Sequence, residues 1–210
     1  RNNEIALGMG YDILRLQGMK SRLVVDGEEF EGTAYFQKVT VQAPSVPWFW
    51  GMLHFDDGSY LDWFMPHITP LSTAKDDKPW RKRDTTRVPL KEAGIFHDRV
   101  RGETHEFDHC KVELAKSAEG LLDAEGNMLP DFRIRMWNDT TRVDLRISAY
   151  SRARWTFDQP TRGGMVSHLT YNEYPFEVTS ISIHDEMGER TESDYEWMHG
   201  NAEHSWGFLH

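Results

Sequence analysis

Apolar and polar residues alternate in short runs along most of the chain, and this pattern predicts strands rather than helices. The alternation is clearest in residues 30–41, 132–136 and 143–149, and no segment keeps a helical period. Residues that favour turns, such as Gly, Asn and Asp, separate the runs. Many short strands joined by turns predict an all-β protein with an antiparallel barrel or sandwich.

An aromatic hairpin over residues 48–67 is the strongest local signal. Its two apolar runs, 48–55 and 60–65, flank the tetrapeptide Asp56-Asp57-Gly58-Ser59. An Asp-Gly pair between such runs is typical of a two-residue type I′ turn, because that turn needs positive φ at both central residues. We therefore predict that Phe55 faces Tyr60. The same register pairs His54 with Leu61, Met52 with Trp63, Trp50 with Met65 and Trp48 with His67.

Because side chains alternate across a strand, this register sorts the hairpin into two faces. One face carries three tryptophans and two histidines, which suits either an apolar pocket with a few polar groups or plain core. This predicted pocket face consists of Trp48, Trp50, Met52, His54, Leu61, Trp63, Met65 and His67. The opposite face holds Asp62 as a lone carboxylate among apolar residues. Asp62 either stays protonated there and serves as an acid, or bonds a neighbouring strand or solvent.

Composition narrows the class and the partners. The chain has 210 residues, a net charge of −10 and 39% hydrophobic residues. The negative charge argues against nucleic acid or an anionic membrane surface as a partner. Since no run approaches ~20 apolar residues, we expect no membrane span. We expect a soluble chain whose compartment the sequence leaves open, with the cytoplasm favoured. Cys110 is the single cysteine, so an intrachain disulfide is impossible.

The chain begins at Arg1 and not at Met. We therefore expect that an N-terminal segment is missing before it, or that a partner chain completes the fold.

The residues from Tyr11 to Gly51 resemble a known family. The order Tyr11, then Leu23-Val24-Val25-Asp26-Gly27, then Gly32-x-x-Tyr35, then Trp48-x-Trp50-Gly51 is similar to the lipocalin-like carotenoid 1,2-hydratase group. That group also contains kievitone hydratase and fungal Diels–Alderase-type cyclases. The resemblance implies two calycin-like barrels packed together around a small hydrophobic molecule, of terpenoid, polyketide or polyphenol type. It implies neither a metal nor an organic cofactor.

The same resemblance gives expected domain boundaries. Residues 1–75 would form part of a first lipocalin-like barrel, and residues 91–210 a second one. Between them, residues 76–90 are rich in Lys, Asp, Arg and Pro, which indicates a linker or a long surface loop.

The expected function is binding of the hydrophobic molecule in an aromatic barrel pocket. Cofactor-free hydration, cyclisation or isomerisation would be the accompanying reactions, since these need only shape and one or two proton donors. The family places Asp-His soon after its tyrosine, whereas this chain has Gln37 and Lys38, so the resemblance carries the fold and the pocket further than the hydratase activity. The candidate catalytic residues are Asp62, His54 and Tyr35. The candidate ligand-binding residues are Gln37, Trp48, Trp50, Trp63, His67, Tyr171 and Glu173.

The sequence shows no recognisable metal-binding or catalytic-triad motif. His97, His105, His109 and Cys110 form the densest group of possible metal ligands, but on a strand His105 and His109 would lie about 13 Å apart, so we interpret them as surface histidines. No Ser-His-Asp arrangement can be recognised by spacing. The alternative function is a non-catalytic structural or subunit protein whose aromatic faces form a protein–protein interface.

Overall fold

The computed structural model describes residues 2–6, 9–42, 44–69, 87–162 and 165–209. Sixteen β-strands and one 3₁₀ turn, Glu192–Asp194, make up the regular structure of these residues, which contain no α-helix. The predicted all-β class is confirmed. Within the same residues, no helix is long and apolar enough to cross a membrane.

The chain divides into two units, Arg1–Pro44 and Ser45–His210. The N-terminal unit is an antiparallel sheet of three strands: β1 (Asn2–Ala6), β2 (Met9–Val25) and β3 (Glu28–Gln42). A two-residue turn joins β2 to β3, since Val25 pairs directly with Glu28. Asp26 and Gly27 both have positive φ, 52° and 87°, which is the backbone geometry of a type I′ turn.

The C-terminal unit contains the other thirteen strands. They are β4 (Trp48–Phe55), β5 (Tyr60–Ile68), β6 (Val88–Pro89), β7 (Ala93–Asp98), β8 (Glu103–Phe107), β9 (His109–Lys116), β10 (Pro130–Trp137), β11 (Arg142–Ala149), β12 (Ala153–Arg162), β13 (Met165–Asp185), β14 (Gly188–Thr191), β15 (Met198–His204) and β16 (Trp206–Phe208). The main path of the sheet runs β8-β7-β5-β4-β15-β13-β11-β10-β9. Strands β12, β14 and β16 pair with β13, and β6 pairs with β5.

This antiparallel sheet curls into a nearly closed barrel. Its two end strands, β8 and β9, are consecutive in the chain and only Asp108 separates them. The turn after β10 also reaches β8, because Asn138 Nδ2 donates to the carbonyl of Glu106 at 2.8 Å and Thr141 Oγ1 lies 3.0 Å from His105 Nδ1. Strands β9, β10 and β11 bury every second residue, which is the pattern expected when one face lines a core.

The unit boundary differs from the predicted one. We expected the aromatic hairpin β4–β5 to belong to a first barrel ending at residue 75, but it lies in the C-terminal unit. The reason is the pairing of β4 with β15, which extends from Phe49 opposite His204 to Phe55 opposite Met198. Most of the predicted linker, residues 76–86, lies outside the described residues, and the presence of two lipocalin-like barrels stays a prediction.

The predicted register of the aromatic hairpin is wrong by one residue. His54 pairs with Tyr60, Gly51 with Trp63 and Trp48 with Pro66. The loop has three residues and not two, because Phe55 N donates to the Ser59 carbonyl and Gly58 N donates to the Phe55 carbonyl. Gly58 has a φ of 84°, so the loop is a turn closed by a left-handed glycine, the common form of three-residue hairpin loops.

A slip of one residue moves every side chain of one strand to the opposite face. The predicted pocket face is therefore split. Its β5 half, Leu61, Trp63, Met65 and His67, lies on the core side with Phe49, Leu53 and Phe55, and all seven are at most 3% exposed. Its β4 half, Trp48, Trp50, Met52 and His54, lies on the outer side with Asp62. The large apolar side chains among these and those of the facing strands form the hydrophobic core cluster on this side.

Four charged side chains close one end of the barrel, beside the β7–β8 turn. Arg190 donates to Asp98 Oδ2 at 2.7 Å and to Asp185 Oδ2 at 2.8 Å, and Arg101 donates to Asp185 Oδ2 at 2.7 Å. The Arg190 guanidinium also lies 5.0 Å from the ring centroid of Phe96. We call this group the ion-pair end. It ties the β7–β8 turn to the β13–β14 hairpin.

Arg190→Gln should destabilise the fold at neutral pH by roughly 3–5 kcal/mol, because it leaves two buried carboxylates with one arginine between them. Burial alone would raise the pKa of Asp98 and Asp185, but the backbone and guanidinium hydrogen bonds outweigh it and lower both below 3.8. Their stabilising effect is therefore complete above that pH and is lost as the pH falls through the lowered pKa values. Urea unfolding of the wild type and of Arg190→Gln at several pH values measures this loss of stability.

The matched control for this prediction is Arg142→Gln, on the exposed surface of β11. We expect it to change the free energy of unfolding little. A loss in Arg190→Gln that persists undiminished at strongly acid pH would contradict the ion-pair explanation.

Candidate functional site

The structure distributes the predicted site residues over four places. Tyr35 and Gln37 lie on β3 of the N-terminal unit, where the Tyr35 hydroxyl donates to Gln37 Oε1. Trp63 lies in the barrel core and is 1% exposed. The remaining residues fall on the outer side of the β4–β5 region or at one end of the barrel interior. The predicted roles themselves stay predictions.

The outer side of the hairpin carries Trp50, His54 and Asp62. The predicted register had placed Asp62 on the face opposite Trp50 and His54. Met52 stands directly opposite Asp62, and His54 opposite Tyr60. The side chains of Trp50, His54 and Asp62 are buried, with 4–5% of their surface exposed. Burial lowers the pKa of His54, so its imidazole is neutral at physiological pH. The corrected register thus places two of the three candidate catalytic residues, His54 and Asp62, on the same side of the hairpin.

A polar network joins Trp48, Tyr171 and Glu173, three of the predicted ligand-binding residues. Trp48 Nε1 donates to Glu203 Oε2 at 2.9 Å, and the rings of Trp48 and Tyr171 lie 5.8 Å apart. The Tyr171 hydroxyl bonds Glu203 Oε1 and lies 2.8 Å from Glu173 Oε1. Asn201 Nδ2 donates to Glu173 Oε2 at 3.1 Å. All five side chains are half-buried.

The hydroxyl of Tyr171 therefore lies between two carboxylates, and its single hydrogen can be donated to either of them. Burial, and then the charge of Glu203 and its hydrogen bond, raise the pKa of Tyr171 far above its ordinary value of 10. The phenol stays protonated at every physiological pH and acts only as a donor here. It lies between Glu173 and Glu203 beside an aromatic ring, an arrangement that can bind a polar group.

The most unusual buried group lies at the opposite end of the barrel from the ion pairs, and we call it the histidine end. There the rings of His67 and His204 stack on Phe49, with centroids 4.9 Å and 4.4 Å from it and planes within 17° of parallel. The edge of Trp206 meets His204 at 5.1 Å. Each of these four side chains is at most 1% exposed.

His204 is the side chain that sets the histidine end apart. It is fully buried, and neither of its ring nitrogens has a hydrogen-bond partner among the described residues. A buried polar atom without a partner costs about 1–3 kcal/mol, and native structures keep few of them. His67 differs, since its Nδ1 lies 3.1 Å from the carbonyl of Met65.

Both imidazoles are neutral in the folded protein. Burial, with a smaller contribution from the charge of Arg87, lowers the pKa of His67 to about 4. Burial also lowers the pKa of His204 well below 6.5, and the charges of Arg87, His67 and Arg152 act in the same direction. The Arg87 guanidinium lies 4.4 Å from the Phe49 ring centroid and donates to the carbonyl of Val112 at 2.6 Å.

A chain of hydrogen bonds fixes the backbone beside His204. Asn172 Nδ2 donates to the His204 carbonyl at 2.9 Å, and Arg152 donates to Asn172 Oδ1 at 2.8 Å. Arg152 in turn pairs with Asp123 at 2.9 Å, and both are nearly fully buried. The backbone at the histidine end is thus firmly held, while the His204 ring itself is left without polar partners.

Sequence reasoning missed Glu203, Asn201 and His204, which all lie on β15. The run from Met198 to His204 contains Gly and Asn and only two apolar residues, so it carries no strand signal of its own. The available cue was an alternation in this run, in which Asn201 and Glu203 alternate with Ala202 and His204. It acquires meaning only once β15 is known to pair with both β4 and β13.

The histidine-cysteine group shows no metal-binding geometry. His109 is exposed and pairs loosely with Glu92, while Cys110 is fully buried on the core side, where burial raises the pKa of its thiol. Across the part of the chain that the structure describes, no three His, Cys, Asp or Glu side chains converge on a possible metal position.

Comparison with known proteins adds little. No family model and no curated protein sequence matches the chain. Among solved structures, one similar chain is a protein of Nitrosomonas europaea provisionally named AttH (NE1406), with 13% identity and a TM-score of 0.46. The match covers 92% of this chain and 51% of that one, so the present chain spans about half the length of that structure. At this TM-score the likeness carries no argument about function.

His67 should make the stability of the protein depend on pH. Between about pH 6.5 and pH 4 the unfolded chain binds a proton at this residue and the folded chain does not, so stability falls as the pH drops through this interval. A pKa lowered from 6.5 to about 4 corresponds to roughly 3 kcal/mol. His67→Phe keeps a ring against Phe49 and removes this contribution. Urea unfolding at both ends of the interval measures it; equal pH slopes in the two proteins would contradict the burial of His67.

Proposed function

We propose that the protein binds a small, mainly hydrophobic molecule at the histidine end of the barrel. The observation that carries the proposal is the fully buried imidazole of His204, whose two nitrogens have no partner in the described structure. A ligand hydroxyl or carbonyl would supply the missing hydrogen bond. The stacked rings of Phe49, His67 and Trp206 would pack against its apolar body.

The chemistry of the site suits a neutral ligand and proton transfer. A neutral imidazole can accept a proton at one nitrogen and donate one from the other, which is the requirement for hydration, cyclisation or isomerisation without a cofactor. His204 would be the acid–base group. The resemblance of the chain to lipocalin-like hydratases and cyclases supports the same class of ligand, terpenoid, polyketide or polyphenol-like.

His204→Phe should stabilise the ligand-free protein and abolish binding. The phenyl ring keeps the stack on Phe49 and removes two buried nitrogens without partners, so we expect a gain of about 1–3 kcal/mol in the free energy of unfolding. Binding is measured by the fluorescence of the tryptophans, which include Trp206 at 5.1 Å from His204, during titration with small phenols and terpenoid alcohols. The wild type should respond and the variant should not.

The matched control is His199→Phe, the same substitution at an exposed position of the same strand. It should leave both stability and the fluorescence response nearly unchanged. A His204→Phe protein that unfolds more easily than the wild type would show that the imidazole is a satisfied core group, and unchanged ligand binding would also exclude the site.

A second function, that of a subunit, is favoured by the N-terminal sheet. Nine large apolar side chains of β2 and β3 are between 43% and 60% exposed. They are Leu14, Leu16, Leu23, Val24, Val25, Phe30, Phe36, Val39 and Val41. Exposed apolar surface of this extent on one sheet is typical of a protein–protein interface. We propose that this sheet packs against a partner chain.

Light scattering after size exclusion tests the subunit function. If the partner is a second copy, the purified chain should run as an oligomer, and Leu23→Lys with Val39→Lys should return it to a monomer. Leu122→Lys, at an exposed leucine of the C-terminal unit, is the control and should leave the oligomer intact. A wild-type chain that is monomeric at all concentrations would contradict self-association.

A further inference from the structure

Three side chains near the histidine end form a hydrogen-bonded line from solvent to the barrel interior. His168 Nδ1 lies 2.7 Å from Asp158 Oδ1, and His168 Nε2 lies 3.1 Å from Thr170 Oγ1. The Asp158 side chain is 70% exposed, whereas His168 is 5% and Thr170 0% exposed. The predicted site contains none of these residues.

Strand pairing fixes this line. Asp158 on β12 stands directly opposite His168 on β13, and Thr170 lies two residues further on the same side of β13. Strand β16 pairs with the other edge of β13, where Thr170 stands opposite Trp206. Gly207 lets β16 come this close, because a Cβ there would lie 2.1 Å from the His168 carbonyl oxygen. Its φ of 96° also favours glycine.

The proton positions follow from the partners. An ionised carboxylate only accepts hydrogen bonds, so His168 Nδ1 carries the hydrogen that bonds Asp158. In the neutral ring Nε2 is then an acceptor and faces the Thr170 hydroxyl. An activated nucleophile consists of a hydroxyl, a base within about 3.2 Å of it, and a third group that orients the base.

We propose that Thr170, His168 and Asp158 form a second active centre, for acyl transfer from small esters. Thr170 Oγ1 attacks the ester carbonyl carbon while its proton moves to His168 Nε2. The ester C–O bond then breaks, and His168 returns that proton to the departing alcohol. Water, deprotonated by the same imidazole, then attacks the carbonyl carbon of the acyl-threonine. The bond from that carbon to Thr170 Oγ1 breaks, the carboxylic acid leaves, and His168 returns the proton to Oγ1. Asp158 stays ionised and keeps the ring oriented throughout.

Burial limits the substrate. Thr170 is fully buried between β12 and β16, so the proposal requires a substrate whose acyl group is short. Acetate esters should therefore react and long-chain esters should not. This activity does not depend on ligand binding at His204, so the two proposals can fail separately.

The test uses the full chain with p-nitrophenyl acetate, followed by intact-mass and peptide mass spectrometry. Thr170→Val and His168→Gln should each lower the rate of nitrophenol release by at least about a hundredfold. Thr170→Ser should retain or raise the rate, because its unbranched hydroxyl is less hindered. A trapped acetyl group should map to residue 170. Circular dichroism confirms that each variant folds.

His184→Gln is the control for non-specific hydrolysis by imidazole, since His184 is an exposed histidine on the same strand. It should leave the rate unchanged. A wild-type rate no higher than that of His168→Gln, an acetyl group on another residue, or equal rates with acetate and decanoate esters would each overturn the proposal.

Discussion

The register of β4 against β5 determines what the barrel encloses. With the three-residue loop at Asp56-Asp57-Gly58, Trp63 and His67 point to the same side as Phe49. Trp63 then lies over Gly51, whose missing side chain is necessary, since a Cβ would lie 2.0 Å from the indole. The histidine end exists because this register places His67 against the Phe49 ring. A two-residue loop would send both His67 and Trp63 to the outer side of the hairpin.

The same dipeptide, Asp-Gly, forms different loops at its two occurrences. Asp26-Gly27 closes a two-residue turn, as the local rule predicts. At Asp57-Gly58 a side-chain contact favours the longer loop: Asp57 Oδ1 accepts from Ser59 N at 2.7 Å. The Ser59 hydroxyl in turn accepts from the backbone N of Arg99 at 3.0 Å. This last contact joins residues 40 positions apart, so local sequence could not reveal it.

The all-β class was predictable because alternation survives wherever one face of a strand is buried. In β10, Phe132, Ile134 and Met136 are buried between half-exposed neighbours, and the sequence alone shows this pattern. The polar network around Tyr171 was predictable only in part. Trp48, Tyr171 and Glu173 stood out as aromatic and acidic residues in strands, yet Glu203, which joins them, is separated from Trp48 by 155 positions. Such pairings depend on which strands become neighbours, and composition does not determine that.

The carboxylates of the ion-pair end are satisfied and the His204 ring is not, although Arg190 Nε also has no partner in the described structure. At the ion-pair end, Asp98 and Asp185 each receive hydrogen bonds from an arginine and from a backbone nitrogen. At the histidine end, the backbone around His204 is equally well bonded, but the described structure offers nothing to its ring nitrogens.

A phenylalanine at position 204 would keep the stack on Phe49 without this cost, so packing alone does not explain a histidine there. Sequences depart from the best-packed residue mainly at functional sites, where a polar group is required. The unpartnered imidazole therefore supports our proposal of a binding site at the histidine end, and this support rests on energetics that are independent of any resemblance to other proteins.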